Sequence, residues 1–296
     1  MGRFLGAGSN GAPRLRELLA GSEPILAPGV FDGLGARLVE EAGFPAVYMT
    51  GFGTAAALLG RPDVGLLTMT EMVENAGRIV AACDLPVIAD ADTGYGNPLN
   101  VVRTVQEYER AGVAGIHIED QVAPKKCGHM EGKQVIPCAE MEAKIRAAVA
   151  ARRSPDFVLI ARTDARAVEG IDAALERARR YRDAGADVLF VEAAESEEEI
   201  ALVAERLADV PLLFNWVEGG KTPPIDHARL CELGFRIVIF PIATLLGTTA
   251  WIRHALAEIR KAGTPLPVMD ELPRFADFLD FIGLPEIHEL EHRFRA

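Results

Sequence analysis

"ERAGVAGIHIE", Glu109 to Glu119, joins a helix end, a turn and a strand. Glu109 and Arg110 close a helical pattern. Gly112 stands where a left-handed C-cap needs a residue without Cβ, and Gly115 to Glu119 is a β-rich run ending on a carboxylate. The same phrase returns as "EEAGFPAVYMT" (Glu40 to Thr50), "RDAGADVLFVE" (Arg182 to Glu192) and "CELGFRIVIFP" (Cys231 to Pro241), with Gly43, Gly185 and Gly234 in the place of Gly112. Between these lie "PILAPG", "VIADAD", "FVLIART" and "LLFNW", each reached through a proline: Pro24, Pro86, Pro155 and Pro211. One strand-plus-helix step of roughly 30 residues is what a parallel crossover needs. Eight such runs predict a (β/α)8 barrel of the TIM type. An open doubly wound sheet would carry GxGxxG after its first strand, and no such turn is found there.

The intervening segments agree. "NPLNVVRTVQEYERAG" and "GIDAALERARRYRDAG" repeat apolar residues at helical spacing with charges opposite, and "TMTEMVENAGRIV" opens with a capping box, Thr68 to Glu71. No linker interrupts the pattern, so residues 1–296 read as one domain, with a flexible tail over 1–10 and a helical extension over 264–296. That extension, "LPRFADFLDFIGLPEIHELEHRFRA", is too rich in aromatic and aliphatic residues to stay in water, and burial against another subunit is expected.

Composition narrows the partners. The 296 residues carry a formal net charge of -12 at a pI near 5.1, which repels nucleic-acid phosphates and anionic membranes. No run approaches the roughly 18 apolar residues of a spanning helix. The start, "MGRFLGAGSNGAP", has no secretory core and no myristoylation signal. Cys83, Cys127, Cys138 and Cys231 lie far apart without CxxC spacing, as suits a reducing cytoplasm.

In such a barrel, reacting groups project from the C-terminal ends of the strands. Here those ends carry Thr50, Asp90 with Asp92, Glu119 with Asp120, Arg162 with Asp164, Glu192 and Asn215. Asp90 and Asp92, two apart, would point the same way from an extended strand. With Glu119 nearby and no histidine or cysteine pair, an all-oxygen donor set favours Mg2+ over zinc. For Asp63 and Asp164 taken singly, pairing with an arginine weighs equally with substrate contact. His117 reads as barrel filling beneath Glu119. The loop Gln121 to Pro137, with "KKCGH" inside it, is long enough for a lid with Gly128 and Gly132 as hinges. Cys127 and His129 stand alone, which disfavours zinc and redox roles. Beside Lys125 and Lys126 the Cys127 thiolate would be favoured, leaving an acid-base group or a nucleophile.

"DADTGYGN", "GIHIEDQ", "KKCGH", "ARTDA" and "NWVEGGKTP", in this order, resemble the isocitrate lyase/phosphoenolpyruvate mutase superfamily from about Leu18 to Gly263. Within it the KKCGH loop is similar to that of the carbon-carbon lyases. The resemblance implies Mg2+ (or Mn2+) held by Asp90, Asp92 and, through water, Glu119, and a 2-hydroxy dicarboxylate as substrate. Thr50, Gly51 and Phe52 would receive its C2 carboxylate, Arg162 would neutralise the forming oxo acid, and Tyr48 would take the hydroxyl proton. Cys127, with Lys126 beside it, would protonate the enediolate. Asp63, Gly128, His129, Glu192, Asn215, Glu218 and Thr222 would line the pocket. Leu246 replaces an arginine of methylisocitrate lyases, and "NWVEGGKTP" is similar to dimethylmalate and methylmalate lyases, so a 2,3-dimethylmalate or 2-alkylmalate type of substrate is expected. Methylisocitrate cleavage, oxaloacetate hydrolysis or decarboxylation, and a non-catalytic ligand-binding barrel are the alternatives. The resemblance also implies a homotetramer exchanging C-terminal helices.

Overall fold

The structure, a computed structural model, describes residues 11–295, so the tail expected over 1–10 lies outside the described residues. Strands β1 (Ile25–Val30), β2 (Val47–Met49), β3 (Val87–Asp90), β4 (Gly115–Glu119), β5 (Val158–Thr163), β6 (Val188–Val191), β7 (Leu213–Asn215) and β8 (Ile237–Phe240) form one parallel sheet. Neighbours pair in chain order from β1 to β6, and β8 pairs with both β1 and β7. A bridge between Leu189 and Leu212, with the Leu189 amide donating to Pro211 O at 3.0 Å, draws β6 to β7 and closes the ring. The expected (β/α)8 barrel is therefore present.

The helices are α1 (Gly11–Ala20), α2 (Gly33–Glu41), α3 (Gly51–Leu59), α4 (Met69–Ala82), α5 (Pro98–Arg110), α6 (Cys138–Ala151), α7 (Arg166–Glu169), α8 (Ile171–Asp183), α9 (Glu197–Arg206), α10 (His227–Leu233), α11 (Ala243–Ala262), α12 (Phe275–Phe281) and α13 (Leu284–Arg293). Strand alternation sorts the core into two layers. Tyr48, Ile88, Ile160 and Phe190 face inward, while Met49, Ala89, Ile118 and Ala161 face the surrounding helices. Helix α1, not anticipated from the sequence, adds Ala12 and Leu15 to the inner layer beside the strand starts. The four phrase glycines end their helices as expected: Gly43, Gly112, Gly185 and Gly234 have φ of 82, 86, 109 and 82°. The Thr68–Glu71 capping box is also formed.

The chain divides into two compact units, the second beginning at Leu246, inside α11, rather than at 264. It holds the rest of α11, a 3-10 turn over Leu266–Glu271, and the pair α12 and α13. Phe275 and Phe294 are exposed on it.

One local expectation fails. β3 stops at Asp90, whose Oδ1 accepts the Asp92 amide at 2.9 Å. Asp92 then turns into left-handed backbone at φ 47°, followed by Gly94, Tyr95 and Gly96, also at positive φ. The two aspartates are thus brought together by a turn and do not share the face of an extended strand.

The glycine caps give a paired test. A Cβ added at Gly43 meets nothing within 4 Å, so Gly43→Ala should cost only the left-handed backbone, about 1 kcal/mol. Gly112→Ala adds a contact with Val80 Cγ1 at 2.9 Å and should cost more, about 2 kcal/mol. Denaturant midpoints measured side by side check the order, and equal losses would show that Val80 yields freely.

Candidate functional site

The C-terminal ends of the strands surround a cavity of about 60 Å³. Tyr48, Thr50, Asp63 and Asp90 line one side, Arg162, Glu192 and Asn215 another. Phe52, Val217, Pro241 and Ile242 supply an apolar wall, and the lid residues Lys125, Cys127, Gly128 and His129 close over it. A larger cleft of about 500 Å³ lies beside the N-terminal ends of α4 and α5 and reaches Asp92 and Lys125. It holds neither Cys127 nor Arg162, so chemistry and not size marks the site.

The lid is built from its base. Gln121 and Val135 form an antiparallel bridge, and the Gln121 amide grips Lys126 from both sides, accepting from its N at 2.9 Å and donating to its O at 2.8 Å. This grip turns Lys126 outward, where its ammonium meets Gly132 O at 2.9 Å. The lysine that reaches the cavity is Lys125, 2.7 Å from both Asp63 Oδ2 and Asp92 Oδ1. Asp63 thus pairs with a lysine and not with an arginine. Gly128 works through space: a Cβ there would run into the Glu192 carboxylate and the Arg162 guanidinium. Gly132, at φ 75°, is the position with hinge-like backbone. His129 Nδ1 accepts the Lys221 amide at 3.0 Å, so the Nε2 proton faces Glu192 Oε1 at 3.1 Å. Lys221 also pairs with Glu131, fastening the lid to the loop after β7.

Electrostatics correct two expectations. Burial pushes the Cys127 thiol above its ordinary range, with only partial opposition from the His129 amide. The neighbouring lysines do not make it a thiolate, because Lys125 is committed to Asp63 and Asp92 and Lys126 faces out. Burial, with Asp90 adding to it, likewise raises the Tyr48 phenol well above its usual value. Tyr48 is therefore no phenolate at neutral pH, and its Oη lies 2.7 Å from His117 Nε2. Burial lowers His117 to about 4, so the ring is neutral and partners Tyr48 as well as filling the barrel. Burial also acts to raise Glu192, but Arg162 and His129 more than offset it and keep the carboxylate ionised.

The donor set suits a divalent cation that keeps waters. Among the described residues no three His, Cys, Asp or Glu side chains form a ready cage. Yet Glu119 Oε1 is buried without a hydrogen-bond donor, and Asp92 Oδ1 meets only the Lys125 ammonium, at 2.7 Å, which it shares with Asp63. Burial, opposed by Lys125 and reinforced by Asp90 and Asp63, lifts Asp92 to about 6, and burial raises Glu119 well above the carboxylate range. Oxygens that are buried, acceptor-only and short of counter-charge fit Mg2+ better than they fit a soft metal.

Of the remaining residues, Thr50 caps α3, accepting the Gly53 amide at 3.1 Å. Gly51 lets that helix end lie against Asp90, whose carboxylate a Cβ would strike. Thr222 lines two other cavities that share Asn215, and not the one that holds Cys127. Glu218 is not in the main lining either, and its Oε2 is buried without a partner. Asp164 grips Arg162, Nε to Oδ2 at 2.9 Å and Nη2 to Oδ1 at 3.0 Å. Sequence reading passes over Lys133, and it gives Lys125 and His117 other parts than the pairing with Asp63 and Asp92 and the contact with Tyr48 found here. Only His117 carries a signal, its place two residues before Glu119 on an inward face.

Known proteins resemble this chain to different degrees. The family model of phosphoenolpyruvate phosphomutase matches residues 15–260. The chain is 50% identical to 2,3-dimethylmalate lyase of Eubacterium barkeri, over 96% of this chain and 98% of that protein. It is 46% identical to 2-methylisocitrate lyase of Aeropyrum pernix, over 94% and 88%. The structure of an oxaloacetate acetylhydrolase in complex with 3,3-difluorooxalacetate superposes with a TM-score of 0.91 at 44% identity, covering 96% of each chain. A phosphonopyruvate hydrolase in complex with oxalate and Mg++ gives 0.88 at 30% identity, covering 97% of this chain and 99% of that one.

The thiol assignment is measurable. The rate of Cys127 alkylation by iodoacetamide, followed against pH by peptide mapping, should inflect above the ordinary thiol value of about 8.5. Burial disfavours the charged form, so the thiol should persist through neutral pH. An inflection below that value would show that the lysines prevail.

Proposed function

Because the chain belongs to the phosphoenolpyruvate mutase/isocitrate lyase superfamily, we propose that it is a lyase cleaving a carbon-carbon bond of an alkyl-bearing 2-hydroxy dicarboxylate, of the 2,3-dimethylmalate or 2-alkylmalate type, to pyruvate and a short carboxylic acid. The observation that carries this reading is a half-buried thiol whose pKa is raised by desolvation, on a lid over a cavity lined by charged groups and by apolar Phe52, Val217, Pro241 and Ile242. Phe52, Val217, Pro241 and Ile242 suit alkyl substituents. After β8 the next cation in the sequence is Arg253, with Leu246 between. A third carboxylate in this wall would lie unpaired, at a cost of several kcal/mol, on the order of the penalty for any buried lone charge.

The chain's own groups divide the work. The first amides of α3, at Gly51 and Phe52, have no acceptors within the helix and are suited, with Thr50, to a substrate carboxylate. Arg162 balances charge growing on the oxo-acid oxygens. Tyr48 can accept the hydroxyl proton only as its own passes to His117 Nε2, 2.7 Å away. When the C2–C3 bond breaks, its electron pair stays with the carboxylic-acid half as an enediolate, and the Cys127 Sγ proton completes that carbon. Glu192 holds Asn215 Nδ2 at 3.1 Å and faces His129, fixing the polar end of the pocket. Asp90, Asp92 and Glu119 are the residues to hold Mg2+ or Mn2+, which when bound would supply positive charge to the hydroxyl and carboxylate oxygens.

We further propose a cytoplasmic homotetramer. Four free cysteines and the exposed apolar side chains of the C-terminal unit support it. Among the described residues no helix is long and apolar enough to cross a membrane.

The test is release of 2-oxo acid, trapped with phenylhydrazine, from 2,3-dimethylmalate, 2-methylmalate and methylisocitrate, with oxaloacetate loss followed separately. A dialkylmalate should be cleaved with Mg2+ and not with EDTA. Cys127→Ala should lower turnover about 10²- to 10⁴-fold, the usual worth of a positioned acid. Preference for methylisocitrate would overturn the reading of the apolar wall, and consumption of oxaloacetate alone would overturn the lyase.

A further inference from the structure

The lid carries a second buried ammonium besides Lys125. Lys133 is only 8% exposed. Its Nζ donates to the carbonyl of Gly128 and to Asp164 Oδ1, the latter at 2.9 Å. The same Oδ1 accepts Arg162 Nη2 at 3.0 Å, so one carboxylate serves two cations. Arg162 also lies 3.2 Å from Glu119 Oε2 and 3.9 Å from Glu192 Oε1, with its guanidinium over the Phe190 ring. Gly128, whose carbonyl Lys133 holds, is the residue whose backbone rests against Arg162 and Glu192. Lid tip, Lys133, Asp164 and Arg162 therefore form a closed circuit, and Cys127 is the residue before the tip.

We propose that Lys133 is a positioning residue that couples lid closure to Arg162: docking of its ammonium on Asp164 fixes the Gly128 tip, and with it Cys127, while taking part of Asp164 away from the guanidinium. The physical reason is charge. Asp164, Glu119 and Glu192 are all essentially buried around one arginine, and one guanidinium cannot balance three carboxylates in a poorly solvated site. The second cation arrives with the lid. With the lid raised, Lys133 returns to water and Asp164 binds Arg162 alone. With it lowered, Asp164 Oδ1 is shared between the two cations, and Arg162, still on Asp164 through Nε and Nη2, also reaches Glu119 Oε2 at 3.2 Å. Among the described residues Lys133 forms its salt bridge with Asp164, and that carboxylate is what holds the ammonium inside.

This inference rests on Arg162 and Cys127 belonging to the reaction site, and the alkylation arm of its test needs no substrate, so the two can fail separately. Cys127 alkylation by iodoacetamide is measured in Lys133→Gln, Lys133→Arg, Asp164→Asn and the Gln/Asn double variant, with Cys231 on α10 as an internal reference. Lys133→Gln and Asp164→Asn should each speed alkylation of Cys127 about tenfold, and the double variant no more than either alone, as coupled residues require. Lys133→Arg should restore most of the protection. In turnover of 2,3-dimethylmalate, Lys133→Gln should lower kcat more than it raises KM. Unchanged alkylation in Lys133→Gln, multiplied effects in the double variant, or no rescue by arginine would overturn the proposal. So would a parallel rise at Cys231, which would make Lys133 a determinant of the whole fold.

Discussion

Seven carboxylates lie buried at one end of the barrel; Asp120 is served by Arg177 and Tyr181, and the cost of burying the other six, Asp63, Asp90, Asp92, Glu119, Asp164 and Glu192, governs the site. The barrel wall supplies one cation, Arg162. The lid supplies two more: Lys125 to Asp63 and Asp92, and Lys133 to Asp164. The lid is thus a source of counter-charge and not a cover over a finished cavity. What it leaves unbalanced is found at Asp92 and Glu119, both raised: Asp92 has only a lysine shared with Asp63, and Glu119 Oε1 accepts no hydrogen bond. An acceptor-only surplus of that kind suits a hard divalent cation.

Bringing so much charge together requires backbone to approach side chains closely, and glycine appears where that happens. At Gly51 the start of α3 comes against Asp90, and at Gly128 the lid comes against Arg162 and Glu192. Neither approach leaves room for a Cβ. Elsewhere the chain turns instead. Asp90 accepts the Asp92 amide, and the following run of positive φ carries Asp92 out of the strand to the Lys125 side. The pair of aspartates therefore addresses two different spaces, Asp90 the cavity and Asp92 the cleft beside α4 and α5.

The barrel is legible in the sequence because its repeat is written in residues with local mechanisms: Gly43, Gly112, Gly185 and Gly234 cap helices for the same steric reason wherever they occur. Helix α1 is not legible, since it is a single short element outside the repeat whose Leu15 gains its meaning only by packing beneath the strands. Strand-end logic finds Asp90, Glu119, Arg162, Glu192 and Asn215, because strand parity fixes which way a side chain points. A loop has no parity. Lys125 and Lys126 cannot be told apart by spacing, and what separates them is the grip of Gln121 on Lys126. The Cys127 thiolate is misleading for a related reason: adjacency in sequence suggests cationic help, whereas burial governs the thiol. Lys133 and Asp164 are 31 residues apart and meet only in the closed fold.

On the proposed function, the same charge balance gives a reason for an acid on the lid and for that acid to be a thiol. A carboxylic acid added to this ring would compete with six carboxylates for three cations, and a lysine in that place would be drawn into an ion pair, as Lys125 and Lys133 are. A cysteine adds no charge while protonated, and burial keeps it protonated. Its proton becomes useful only when a carbanion forms within reach, and that position exists only with the tip down over Arg162 and Glu192. Raising the lid would then return the spent thiolate to water, where it can regain a proton. On the proposed function, exclusion of solvent, delivery of counter-charge and delivery of the acid would be one movement of one loop, with the buried carboxylates drawing that loop closed.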